Sequence, residues 1–256
     1  MVDVQVFGES GPPVLLLPGG AESADGFFPG LRAGLADARV IEHDRPGTGR
    51  SAVGGELSVA AKALSVLIDE LGHGPVVVVG QSLGGAVGAL LARDHPAQVA
   101  GLVLLDPTPI NDPRTCATIE RMTVVLGKAA AVPGLRGLVA AAFRRTALRT
   151  ARGLRPDCAA AAERTARLDI PQLARAVRGL SALSQGFRES ELPRLPAVVV
   201  TAERKPDHAV RQAHERLAAA FGGEVRTWPG ATHSVHLDHP DEVLATVREV
   251  VRQVAS

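Results

Sequence analysis

The chain switches between two hydrophobic periods. Pro75 to Val79, Val14 to Leu17, Leu102 to Leu105 and Ala197 to Thr201 are short apolar runs rich in β-branched residues. Such runs suit strands buried on both faces of a parallel sheet. Val2 to Phe7 alternates like a half-exposed strand, and Arg39 to Glu42 and Gly223 to Trp228 read as two more. Between the strands, apolar residues recur at helical spacing. Ser58 to Leu71 carries Val59, Ala63, Val66, Leu67 and Leu71 on one stripe. The segment after Ser82 carries Leu83, Ala86, Val87, Leu90 and Leu91, closing near His95-Pro96. Pro206 to Phe221 and Asp241 to Val254 predict two further helices, and another is expected from Ala21 through Leu31 and Leu35. Strands alternating with helices predict an α/β fold: a mostly parallel, doubly wound sheet with right-handed crossovers.

That rhythm stops after Asp106-Pro107 and resumes near Leu195. Residues 112–190 are rich in Ala, Arg and Leu and are cut by Pro133, Gly134, Gly153, Pro156 and Pro171. They predict several short helices forming a cap. The expected organisation is therefore a core of residues 1–111 and 191–256 with a helical cap at 112–190. Leu126, Leu135, Leu138 and Phe143 are the apolar residues expected to line a pocket beneath it.

Sheets of this kind place their sites beyond the carboxyl ends of the strands. Those ends carry Pro18-Gly19-Gly20, Asp44, Ser82, Asp106, Glu203 and His233. Ser82 lies within Gly80-Gln81-Ser82-Leu83-Gly84, between a strand and a helix. So sharp a turn leaves no room for side chains two residues either side, and it lifts the hydroxyl clear of the sheet. A serine hydroxyl needs a base to take its proton. His233, after the last strand in Pro229-Gly-Ala-Thr-His, is the best placed of the eight histidines. His236 stands in reserve, and His239 is expected to open the last helix. His43, His73, His95, His208 and His214 are assigned to surface or packing. The base needs an acid beside it. Asp106 is preferred; Glu203 and Asp207 remain open alternatives. Backbone N–H groups of Gly20 and Leu83 are expected to face a developing oxyanion. In Asp44-Arg45-Pro46-Gly47-Thr48-Gly49-Arg50-Ser51, Arg45 is expected to tie the loop to the neighbouring strand ends.

Charge narrows the classes. The formal net charge of 256 residues is +1, which offers no basic surface for nucleic acid. The two cysteines, Cys116 and Cys158, lack metal-ligand spacing and read as reduced thiols of a cytoplasmic protein. No zinc, dinucleotide or phosphate-loop motif is present, so neither metal nor cofactor is expected. The most apolar long window, Ala129 to Phe143, is interrupted by Pro133, Gly134, Arg136 and Gly137, and no membrane span is expected.

Taken together in order, these motifs resemble the α/β-hydrolase family over nearly the whole chain. Gly80-Gln-Ser82-Leu-Gly84 is similar to its nucleophile elbow, and Gly230-Ala-Thr-His233 to its histidine loop. Pro18-Gly19-Gly20 is similar to its His-Gly-x oxyanion loop, with proline in place of histidine. Where the family often has Gly-x-x-Asp after the strand at 197–201, this chain has Ala202-Glu-Arg-Lys205. Some members carry the acid after the preceding strand, where Asp106 stands. Serine at 82 separates the chain from relatives with aspartate there, the haloalkane dehalogenases and epoxide hydrolases. The resemblance implies a serine hydrolase acting on an ester or thioester of a small apolar molecule. An acyltransferase, C–C hydrolase or perhydrolase would use the same three residues. A non-catalytic protein binding a small ligand would use only the fold.

Overall fold

The structure, a computed structural model, describes residues 4–51, 54–167 and 169–255. Seven strands form one sheet: β1 (Val4–Phe7), β2 (Pro13–Leu17), β3 (Arg39–His43), β4 (Val76–Gln81), β5 (Val99–Leu105), β6 (Ala197–Val200) and β7 (Glu224–Arg226). Their order is β1-β3-β2-β4-β5-β6-β7. Only β1 runs antiparallel, against β3. The Val2 and Asp3 part of the first expected strand lies outside the described residues.

The helices are α1 (Leu31–Gly34), α2 (Ala60–Leu71), α3 (Leu83–Asp94), α4 (Pro113–Ala131), α5 (Pro133–Thr150), α6 (Pro156–Thr165), α7 (Ile170–Ala176), α8 (Leu180–Gly186), α9 (Ala209–Phe221), α10 (Val235–Asp238) and α11 (Pro240–Ala255). The period of two along the central strands splits the core in two. Leu15, Leu17, Val78, Leu102, Leu104 and Val199 face α2, α3 and α9. Val14, Leu16, Val77, Val79, Val103, Leu105, Val198 and Val200 face α1 and α11. Every residue of β4 is buried, which is why its sequence shows no polar alternation.

The turn from β4 to α3 fixes the sheet against its first crossover helix. A Cβ on Gly84 would overlap the Leu17 carbonyl oxygen of the adjacent strand, and one on Gly80 would meet the Gly84 carbonyl. The glycine pattern therefore follows from backbone packed on backbone.

Three expectations change. The helix foreseen from Ala21 shrinks to the single turn of α1. Ahead of it, the Glu22 amide bonds to Gly19 O and the Ala24 amide to the Asp44 carboxylate, 2.6 Å away. Pro29 has no amide to give. These ties hold the segment as turns. The inserted helices between β5 and β6 are also not all short. α4 and α5 span 19 and 18 residues, with Pro133 and Pro156 starting α5 and α6, where a missing N–H costs nothing. Leu135 and Leu138, expected beneath the cap, are 44% and 68% exposed.

Cys116 and Cys158 are buried free thiols, each pushed up to about 11 by burial. No helix among the described residues is long and apolar enough to cross a membrane.

Gly84→Ala is expected to destabilise by at least about 1–3 kcal/mol, the cost of overpacking a filled site. Gly137→Ala, in an open part of α5, should instead stabilise by about 0.5–1 kcal/mol. Urea melts of both variants check the pair.

Candidate active site

Ser82 closes β4 and caps α3 with φ 50° and ψ −117°, a region L-residues rarely occupy, at a cost of about 1–3 kcal/mol. Its peptide is held in place: the Ser82 amide donates to Leu105 O at 3.1 Å, and Ser82 O accepts from Thr108 N at 2.8 Å. Across the strand end, His233 Nε2 lies 3.0 Å from Ser82 Oγ. The other ring nitrogen, Nδ1, lies 2.6 Å from Asp106 Oδ2. An ionised carboxylate only accepts, so Nδ1 carries the proton and the Nε2 lone pair faces the hydroxyl.

Asp106 ends β5 with a positive φ of 43° and is 1% exposed. Burial alone would raise its carboxyl. Hydrogen bonds from Arg204, His233 and the Ala202 amide, with the charge of the imidazole, outweigh that and hold it well below the usual carboxylate range. Arg204 grips it with both arms: Nη1 to Oδ1 at 2.5 Å and Nη2 to Oδ2 at 2.7 Å. Paired forks of this kind fix orientation as well as charge.

Behind the carboxylate sits His214, fully buried and lowered to about 4 by burial. Its Nε2 lies 2.7 Å from Pro107 O, which can only accept, so Nε2 carries the proton. Nδ1 then accepts from the Thr201 hydroxyl at 2.9 Å. The ring is thus a neutral brace for the chain ends of β5 and β6.

The histidine loop is tied down by side chains on both flanks. Gln81 Nε2 donates to His233 O at 2.9 Å, and the Gly230 amide donates to Glu203 Oε2 at 2.7 Å. Asp238 accepts from the Thr232 amide and hydroxyl at 2.7 and 2.6 Å. Glu203 is therefore engaged with the loop backbone rather than the His233 ring, and Asp207 is exposed to solvent. His236 is turned away into a stack on Phe27, ring centroids 4.5 Å apart. His239 stands just ahead of α11, beside Glu242 and Trp228.

The loop after β2 comes equally close. A Cβ on Gly19 would overlap the Gln81 side chain and stand 3.1 Å from Ser82 Cβ. Arg45, buried, donates from Nη2 to Gly20 O at 3.0 Å and Pro18 O at 3.4 Å, the tie expected from the sequence. Gly20 and Ser82 share the wall of a cavity of about 340 Å³. Leu83, the first residue of α3, has an amide beyond the reach of the helix ladder.

The far wall of that cavity comes from α5 to α7: Thr146, Ala147, Thr150, Ala162, Thr165 and Leu173. Leu126, on α4, does not line it; nor do Leu135 and Leu138, because α5 turns its threonine face inward and these two leucines to solvent. The Phe143 side chain lies outside the described residues. Among the described residues no cluster of His, Cys, Asp or Glu could hold a metal ion.

Sequence reasoning missed Gln81, Thr201, Arg204 and the bracing role of His214.

Ser82, Asp106 and His233 thus meet at the strand ends of a mostly parallel sheet with helices on both faces. A model of the alpha/beta hydrolase family matches residues 14–246, and the chain belongs to that family. It is 42% identical over 106 residues to lipase LipV of Mycobacterium tuberculosis, covering 41% of each chain. The match thus spans about two fifths of that relative's length. Among solved structures it is similar to MenH from S. aureus (TM-score 0.81, 16% identity, all of both chains). It is also similar to a thermophilic esterase from Thermogutta terrifontis (TM-score 0.74, 21% identity, 100% of this chain and 94% of that one). At those identities the structural likeness shows the fold.

Arg204→Met is expected to cost about 3 kcal/mol near neutral pH, as when one partner of a buried pair is removed. The depressed Asp106 carboxyl adds stability above its unfolded value of about 3.9 and loses it as pH falls below that. The gap between wild type and variant should therefore narrow below about pH 4, measured by denaturant melts across pH.

Proposed function

We propose that the protein is a serine hydrolase that cleaves an ester or thioester of a small molecule through an acyl-enzyme. The observation that carries this reading is the unbroken line Asp106 Oδ2, His233, Ser82 Oγ, with steps of 2.6 and 3.0 Å, at the wall of a cavity. Its weight comes from the direction of the protons. His233 already holds one on Nδ1, so Nε2 is free to take the Ser82 proton as Oγ bonds to the carbonyl carbon. The carbonyl π pair moves onto oxygen, toward the amides of Gly20 and Leu83. One such donor is worth about 2.7–4 kcal/mol in the transition state.

The tetrahedral species collapses by breaking the bond to the leaving alcohol or thiol, which takes the proton from His233 Nε2. A water then gives its proton to the same nitrogen and attacks the acyl carbon. The second collapse returns the proton to Ser82 Oγ and frees the acid. Throughout, Asp106 stays ionised and offsets the charge of the imidazolium. Arg204 keeps the carboxylate from turning.

Supporting this reading are the family membership and the name of one similar protein, a lipase. A role confined to ligand binding would leave the strained Ser82 backbone and its aligned histidine without explanation.

A fluorophosphonate probe is expected to label one site, mapped to Ser82 by peptide mass, and to leave Ser82→Ala unlabelled. Equal labelling of that variant would contradict the reading. On short-chain chromogenic esters, Asp106→Asn should lower kcat by about 10⁴, as when a triad acid can no longer hold the tautomer. Glu203→Gln should stay within about 10-fold of wild type, since its carboxylate accepts from the Gly230 amide while Asp106 faces the His233 ring. The reverse ranking would move the acid to Glu203.

A further inference from the structure

The cavity in front of Ser82 contains a second polar cluster that the chemistry above does not use. Glu22, two residues past Gly20, and His236, three past His233, both line it. Glu22 Oε1 and His236 Nδ1 are buried and have no hydrogen-bond partner among the described residues. A buried polar group left without a partner loses its hydration with nothing in return. His236 cannot easily escape to water. His236 is 5% exposed, stacked on Phe27 at 14° and edge-on to Phe28 at 5.6 Å.

The inserted helices add to the same wall. Thr146 and Thr150 spend their hydroxyl protons within α5, on Ala142 O at 3.1 Å and Thr146 O at 3.2 Å. What they can offer the cavity is lone pairs. The Glu22 carboxylate offers more of the same. Burial raises its carboxyl above the usual value, opposed by the Thr165 hydroxyl and the charge of Arg164. Burial keeps His236 neutral, lowered to about 3, so its ring has one N–H and one lone pair.

Surplus acceptors on this part of the wall select the ligand. A bare hydrocarbon would cover them without satisfying them. A carboxylate or phosphate would meet the Glu22 carboxylate. A hydrogen-bond donor meets both walls, and a group that also accepts meets His236 in either tautomer. We propose that Glu22 and His236 form a specificity subsite for a hydroxyl or N–H group carried on the substrate away from its scissile carbonyl. The substrate class is then a hydroxy- or amino-functional ester rather than a plain alkyl ester. This rests on the hydrolase reading for the identity of the scissile bond; the subsite itself is read from the two unpartnered atoms.

The test is isothermal titration of Ser82→Ala protein with two matched pairs of esters. One pair is 6-hydroxyhexyl acetate and heptyl acetate, which puts the group on the alcohol side. The other is methyl 6-hydroxyhexanoate and methyl heptanoate, which puts it on the acyl side. In at least one pair the hydroxy ester should bind 10-fold or more tightly than its methyl counterpart. Adding Glu22→Leu or His236→Phe should erase that preference, so that the two esters of the pair bind alike. His236→Phe keeps the ring stack on Phe27, so it reads the lost nitrogens even if Glu22→Leu folds poorly. Equal or tighter binding of the methyl compound in both pairs overturns the subsite, as does a preference that survives both substitutions. Because binding needs no turnover, that failure is separate from a failure of Ser82 to label.

Discussion

A single buried carboxylate sets the geometry of the sheet edge. Asp106 sits at the end of β5 with almost no solvent, and an isolated charge there would be very costly. It is ionised because Arg204, the Ala202 amide and His233 all converge on it. Two of these come from the end of β6 and the third from the loop after β7. The same contacts that keep the charge in place therefore join three strand ends. Once Asp106 is fixed, the His233 ring has one orientation, and that orientation points its free nitrogen at Ser82. Thr201 and His214 close the network from behind, so the carboxylate is buttressed on the side away from the cavity.

The sheet supplies the other half of the precision. β4 lies between β2 and β5, so residues leaving all three meet at one edge. Close contact between backbones at Gly80, Gly84 and Leu17 brings the β2 loop against the elbow. Arg45 then holds the carbonyls of Pro18 and Gly20. Two strained residues, Ser82 and Asp106, end neighbouring strands with positive φ. Strain of this kind persists where surrounding structure over-determines it, and here it turns both side chains out of the sheet.

The central strands were legible because burial on both faces leaves an unbroken apolar run, as in β4. The elbow was legible because glycine spacing there reports a steric limit. Which carboxylate meets His233 was not, since Asp106, Glu203 and Asp207 all follow strand ends and only the third dimension separates them. The segment before α1 reads as helix because its apolar spacing fits one, but long-range bonds to Asp44 and Gly19 claim its amides. Pocket lining was least legible. Leucines on α5 suggest a greasy cavity, yet a helix shows only one face inward, and on α5 that face carries Thr146 and Thr150. Arg204 and Gln81 act through partners far along the chain, which no local pattern records.

The most direct measurement is a crystal structure of the protein after reaction with a small alkyl phosphonate ester, which mimics the tetrahedral species. Phosphorus should be bonded to Ser82 Oγ, with His233 Nε2 within hydrogen-bond distance of the leaving-group oxygen position. One phosphonyl oxygen should lie about 2.7–3.1 Å from both the Gly20 and Leu83 amides. A phosphonyl oxygen directed to solvent, or a His233 ring held by a carboxylate other than Asp106, would contradict it.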